Sequence, residues 1–191
     1  MSYKPDNLSP AQKKSALISI FLLCLLIFAF FIYKNYTNDE RNELLSKNTG
    51  ITICKVIRTN THKSITNTVE YQVSNKKYTY ESLSGIVFQI GELFNLKYSI
   101  INPNISKVIY SHPIIAEKDD YEETTGKVIS LYTNAKVNII KFEYNYNGNE
   151  YERDLYVENI TEFKENNKYR ILVNKKNHKI SYLKSVVKIG Y

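Results

Sequence analysis

Hydrophobic and polar positions fall into two patterns along this chain, and the first is an unbroken apolar run. From Ser15 to Tyr33 the sequence SALISIFLLCLLIFAFFIY is interrupted only by Ser15 and Ser19 and carries no charge. At about 1.5 Å of rise per residue it forms a helix roughly 28 Å long, about the thickness of a bilayer's hydrocarbon core. A core helix of a globular domain keeps a polar stripe, and this segment has none, so residues 15–33 are expected to meet membrane lipid. The run ends in Phe30, Phe31, Ile32 and Tyr33 followed by Lys34, with no small-residue cleavage signal. An uncleaved anchor is therefore expected, with Cys24 as an apolar filler inside it. Lys4, Lys13 and Lys14 precede the run and Lys34, Arg41 and Lys47 follow it, so the flanking charges tie. Lys13 and Lys14 abut the run as in a signal anchor. Residues 1–14 are accordingly expected to be a cytoplasmic tail, and everything beyond the helix periplasmic or extracellular. Residues 34–49 are polar but hold Leu44 and Leu45, which suits a juxtamembrane stalk of a few helical turns.

The second pattern has a period of two. Ile65, Val69, Tyr71 and Val73 alternate with Thr66, Thr68, Glu70 and Gln72, as in a half-buried strand. Ile140, Phe142, Tyr144 and Tyr146 alternate in the same way with Lys141, Glu143 and Asn145. That strand runs into Asn147-Gly148, the dipeptide suited to the positive φ angles of a tight type I′ hairpin. Superposing Val69-Glu70-Tyr71 on Phe142-Glu143-Tyr144 brings Val73 onto Tyr146, Asn75 onto Gly148 and Tyr78 onto Tyr151. Each match is preceded by a short strand opening on glycine, at Gly50 and at Gly126. Each is followed by a further strand, Phe94 to Ile101 and Tyr169 to Val173. Shared order with similar spacing predicts a tandem duplication. The fold class expected is mainly β, with one N-terminal transmembrane α-helix and two small antiparallel units, barrel-like or sandwich-like. Residues 50–115 form the first β domain, 126–191 the second, and the acid-rich stretch 116–125 a solvated linker.

Taken together, Gly50, Val69 to Val73, Tyr78, Gly91, Leu96, Tyr98, Asn102 and Pro103 resemble a family of bacterial membrane-anchored β domains of unknown function. Its form is Gly-x-Val, a Tyr-x-Val-x-x-Gly-Lys-x-Tyr hairpin, Gly-x-x-Val-x-Val-x-Tyr and a closing Asn-Pro. Gly126, Val128, Tyr144, Gly148 and Tyr151 carry the resemblance in the second copy. Asn75 departs from it in the first copy, and the second lacks both the glycine before the third strand and the Asn-Pro. The resemblance implies a transmembrane helix beside a small barrel-like domain, and no catalytic residues.

Candidate chemistry is sparse. His62, His112 and His178 are widely separated and sit among loop-like neighbours, so no metal site and no cofactor are expected. Cys54 lies in an alternating strand, which predicts a buried thiol rather than a nucleophile. No G-x-S-x-G elbow, S-x-x-K, P-loop or dinucleotide fingerprint occurs. Asp119, Asp120, Glu122 and Glu123 fall in the expected linker. The strand tyrosines Tyr71, Tyr78, Tyr80, Tyr98, Tyr144, Tyr146 and Tyr151 suit a core, with an exposed binding face as the sharper alternative. The net charge of +7 concentrates towards the end of the chain, at Lys168, Arg170, Lys175, Lys176, Lys179, Lys184 and Lys188. On strand faces and edges these side chains keep sheets from pairing with one another, and for a tethered domain the alternative is contact with anionic lipid or with a partner protein. No nucleic acid is expected as a partner. The function expected is a non-catalytic interaction, scaffold or accessory module of the bacterial envelope that engages another envelope protein. The alternatives are an envelope enzyme of hydrolase type with a dispersed site, and a membrane-anchored immunity or inhibitor protein.

Overall fold

The computed structural model describes residues 9–116, 120–134 and 137–190. It divides into a helical unit and a β body. The helix, α1 (Pro10–Lys47), starts on a capping box: Ser9 Oγ accepts from the Gln12 N–H at 3.3 Å, and Gln12 Oε1 accepts from the Ser9 N–H at 2.8 Å. Pro10 occupies the first helical position, where a missing N–H costs nothing. The apolar run lies within α1, which is long and apolar enough to cross a membrane, and its side chains are exposed on every face. The expected stalk is no separate element, because α1 continues unbroken through residues 34–47.

Among the described residues the β body has eleven strands: β1 (Thr49–Asn60), β2 (Thr66–Val73), β3 (Lys76–Leu83), β4 (Leu93–Ser99), β5 (Ser106–Ala116), β6 (Tyr121–Asn134), β7 (Val137–Tyr146), β8 (Asn149–Val157), β9 (Lys168–Asn174), β10 (Ser181–Leu183) and β11 (Lys188–Gly190). One sheet has the order β11-β5-β4-β1-β2-β3 and the other β10-β9-β6-β7-β8. Leaving β11 aside, both read 5-4-1-2-3, with every pair antiparallel. In the first sheet β3 comes close to β5, so the sheet curls towards a barrel without closing it.

The two units agree in detail. Tyr71 lies opposite Cys54, and Tyr144 opposite Gly126. One extra residue bulges each first strand, between Val56 and Arg58 and between Val128 and Ser130. Each bulge holds the following loop, since Val56 O accepts from Gly91 N at 2.8 Å and Val128 O accepts from Asn166 N at 2.8 Å. Gly91 has φ +102° and Asn166 φ +65°, so asparagine supplies the left-handed backbone where the second copy lacks glycine. The hairpin turns match as well, with positive φ at Ser74 and Asn75 and at Asn147 and Gly148. The last turn is shared too. Ile105 N donates to Asn102 O and Ile180 N to Asn177 O, both at 2.9 Å, so Asn177-His178 takes the place of Asn102-Pro103.

Three expectations need correction. The stretch 116–125 is not a solvated linker: β5 runs to Ala116, β6 begins at Tyr121, and Glu122 and Glu123 lie in register with Val173 and Leu172. Residues 117–119 lie outside the described residues. Gly50 is not the counterpart of Gly126, which corresponds to Cys54; the likeness of the two strand openings was coincidental. The last strand, β11, does not complete the second sheet but pairs parallel with β5 in the first. The halves therefore form a single body rather than independent domains.

Two apolar cores fill that body, one built on Val56, Val69, Phe88, Phe94 and Leu96, the other on Val128, Phe142, Leu155, Ile171 and Tyr182. Ile139 and Tyr156 of the second unit pack in the first core. The Tyr156 ring meets Phe88 and Tyr110 edge-on, at 5.8 and 5.9 Å, and its hydroxyl accepts from Gly85 N at 2.8 Å.

Candidate functional site

The features that recur in both units point to one place, the outer face of each sheet over its first two strands. In the second unit, period-two alternation turns Thr125, Lys127, Glu143, Asn145, Glu150 and Glu152 outward while Gly126, Val128, Phe142 and Tyr144 face the core. Gly126 is closely packed, and a Cβ there would lie 2.5 Å from Glu143 O and 2.6 Å from Ile171 Cδ1 of the core. The outer face here carries a depression of about 430 Å³, walled by Lys127, Glu143, Glu150, Glu152 and Lys168. Below it Tyr144 and Tyr151 stack at 5.3 Å between ring centres, with Tyr144 Oη donating to His178 O at 2.5 Å.

The first unit repeats this arrangement on a smaller scale. Its depression, about 180 Å³, lies between Ile53, Lys55, Glu70, Gln72, Lys77 and Leu93. Tyr71 and Tyr78 stack at 5.6 Å, and Tyr71 Oη donates to Pro103 O at 2.5 Å. Cys54 stands in the place of Gly126, with its side chain buried in the first core. The two surfaces differ in charge: three carboxylates and two ammonium groups in the second unit, two ammonium groups and one carboxylate in the first. Lys127 lies 3.9 Å from Glu143 and Lys77 3.3 Å from Glu70, ion pairs loose enough to exchange for contacts with a ligand. Both depressions are open to solvent, which suits binding of an extended charged segment.

Cys54 is 1% exposed, and burial pushes its thiol up to about 12, so it stays protonated and unreactive near neutral pH. The histidines do not come together. His62 lies in the loop after β1, with its N–H on Asn60 Oδ1. His112 is not in a loop as expected but in β5, where Nδ1 is 3.3 Å from Glu158 of the other unit. His178 packs edge-on against Tyr146 at 4.8 Å. Among the described residues no three His, Cys, Asp or Glu side chains are grouped to hold a metal ion.

The basic residues expected to meet lipid or a partner are dispersed, and several are already paired. Arg170 and Lys184 both reach Glu123, at 3.2 and 2.5 Å, and Lys175 reaches Asp120 at 3.0 Å. The acidic stretch read as a linker is thus the counter-charge of the basic one. Lys168 walls the larger depression, while Lys176 and Lys179 sit in the β9–β10 turn. Lys188 lies in β11, and its side chain is outside the described positions. The tyrosines serve the cores: Tyr71, Tyr144 and Tyr146 are buried and Tyr78, Tyr80, Tyr98 and Tyr151 half-buried.

One buried polar group was not foreseen from the sequence. Glu92, ahead of β4, reaches into the second unit, where Oε2 accepts from Arg153 Nη2 at 2.5 Å and from Tyr182 Oη at 2.8 Å. Its Oε1 accepts from Gln89 N at 2.5 Å. Arg153 also donates to Lys179 O at 2.6 Å and lies 4.8 Å from the centre of the Tyr182 ring. The signal was present, because Arg153 occupies an inward-facing position between Tyr151 and Leu155. The charges neutralise one another and reach no depression, so this group ties the units together. Comparison with protein-family models, curated proteins and solved structures gave no match.

Proposed function

We propose that this protein is a membrane-tethered, non-catalytic β module that works by interaction, as a scaffold or accessory protein of the bacterial cell envelope. The observation that carries this reading is the repetition of an open, charge-lined depression at one position in two fused units. Two surfaces of different charge on one compact body suit a partner engaged at two points. Tethering by residues 15–33 raises the effective concentration of any partner in the same membrane, so modest contacts suffice. The reading places the N-terminus in the cytoplasm and the β body in the periplasm or outside the cell, with another envelope protein as partner.

Affinity purification of the full chain from detergent-solubilised membranes tests this. A defined partner is expected to co-purify with the wild type and with a variant in which His62, His112 and His178 are replaced by alanine. It is expected to be lost from Lys127→Glu/Lys168→Glu. A partner lost with the histidines, or retained when both lysines are reversed, refutes the reading.

A further inference from the structure

The edge of the first sheet carries a sequence that complements itself. Strand β3 ends the order β11-β5-β4-β1-β2-β3, and among the described residues no strand pairs with its outer side. The two-residue turn at Ser74-Asn75 makes Val73 and Lys76 the first pair of the hairpin, and register then alternates along Gln72↔Lys77, Tyr71↔Tyr78 and Glu70↔Thr79. A tight turn of this kind closes on a hydrogen-bonded pair, so alternate pairs from Gln72↔Lys77 onward are not bonded to each other. The Gln72 carbonyl confirms the parity, since it faces β1 and accepts from Thr52 Oγ1 at 3.1 Å. The backbone N–H and C=O groups of Lys77, Thr79 and Glu81 therefore point away from β2 and along the open edge. Their side chains are exposed on the outer face, while Tyr78 and Tyr80 turn towards the core.

Lys77-Tyr78-Thr79-Tyr80-Glu81 reads alike from both ends, with the charge inverted. Laid antiparallel against a second copy with Thr79 on the two-fold axis, Lys77 faces the partner's Glu81 and Glu81 the partner's Lys77. Tyr78 and Tyr80 face each other on the inner side. This register bonds the three outward-facing residues of each strand, closing about six ladder hydrogen bonds. Shifting it by one pair in either direction separates the opposite charges. Among the described residues Lys77 has one ion-pair partner, Glu70 at 3.3 Å, on the β2 side of the strand.

The second unit supplies a built-in comparison. Its corresponding edge strand, β8, presents Glu150, Glu152 and Asp154 at the same outward positions. Two such edges would set carboxylate against carboxylate, a known protection against sheet-to-sheet pairing.

We infer that the protein self-associates through β3, two copies joining their first sheets into one continuous antiparallel sheet centred on Thr79. The inference rests on the tethered reading only in that copies held in one membrane need little affinity to pair. The two are tested apart, because the co-purification experiment reads Lys127 and Lys168 on the other sheet.

The test uses the full chain in detergent micelles, with Cys24→Ser removing the thiol in the apolar run. Light scattering is expected to show a dimer. Lys77→Glu or Glu81→Lys alone is expected to weaken it at least tenfold, and Lys77→Glu/Glu81→Lys to restore it to within about threefold of the wild type. Thr79→Cys is expected to cross-link to itself with a short bismaleimide, and Glu152→Cys not to. All five positions are exposed or in an edge strand, and circular dichroism checks that each variant is folded. A monomer at micromolar concentration, a dimer indifferent to both single reversals, or a folded double variant that stays dissociated overturns the inference.

Discussion

Changing Glu92 to Gln preserves the volume of a side chain that is 0% exposed but removes the charge facing Arg153, itself 6% exposed. The guanidinium keeps Lys179 O and the Tyr182 ring, yet it is left as a buried charge with no counter-ion. Two unit charges about 4 Å apart attract by about 4 kcal/mol at an effective dielectric near 20. Removing one member of a buried pair typically costs about 3–5 kcal/mol, since the survivor's desolvation is no longer offset. For a body of this size each kcal/mol moves the melting temperature by about 2–4 °C, which predicts a drop of about 6–20 °C for Glu92→Gln. Glu92→Gln/Arg153→Met removes both charges and is expected to recover much of that loss, because no buried charge is then left without a counter-ion. Thermal and urea unfolding of the full chain in detergent, followed by circular dichroism, reads both. The ion pair joins the units, so the wild type is expected to melt in one transition and Glu92→Gln to broaden or split it. A Glu92→Gln shift under about 2 °C, or a double variant no more stable than the single one, refutes the reasoning.

Two further outcomes follow from the same packing. Gly126→Ala is expected to cost about 1–3 kcal/mol, because the new methyl meets the Glu143 carbonyl of the backbone. Gly50→Ala meets only the far end of the Tyr98 ring and is expected to cost less; equal losses of urea midpoint would contradict this. Burial raises the Cys54 thiol from 9.0 to about 12, so its contribution is complete below pH 9 and is lost as pH rises towards 12, at up to about 1.4 kcal/mol per pH unit. The stability gap between wild type and Cys54→Ala is therefore expected to narrow from pH 9 to pH 11 in urea titrations, and a constant gap would rule this out.

Local signals in the sequence were legible where they came from periodicity and turn chemistry. The apolar run fixes the helix, alternation about Tyr71 and Tyr144 fixes β2 and β7, and Asn147-Gly148 fixes the hairpin. The likeness of the two units was visible in residue order, although two departures from it were equivalences in disguise. Asn166 replaces a glycine because asparagine also tolerates φ +65°, and Asn177-His178 replaces Asn102-Pro103 because the turn is held by backbone bonds. What the sequence hid was non-local. The acid-rich stretch looked like a solvated linker because its counter-charges, Arg170, Lys175 and Lys184, lie some fifty residues away in sequence. Strand β5 escaped notice because His112 and Pro113 interrupt its alternation at a register shift. The depressions belong to this second class: only the pairing of β6 with β7 and β9, and of β7 with β8, brings Lys127, Glu143, Glu152 and Lys168 to one place.

The tethered interaction module is tested most directly in living cells, by a photo-cross-linking amino acid placed at Lys127 of the full chain. The account predicts a discrete adduct with an envelope protein that disappears when the apolar residues 15–33 are removed. A cross-linked pattern with no discrete partner, or an adduct that persists without the helix, contradicts it.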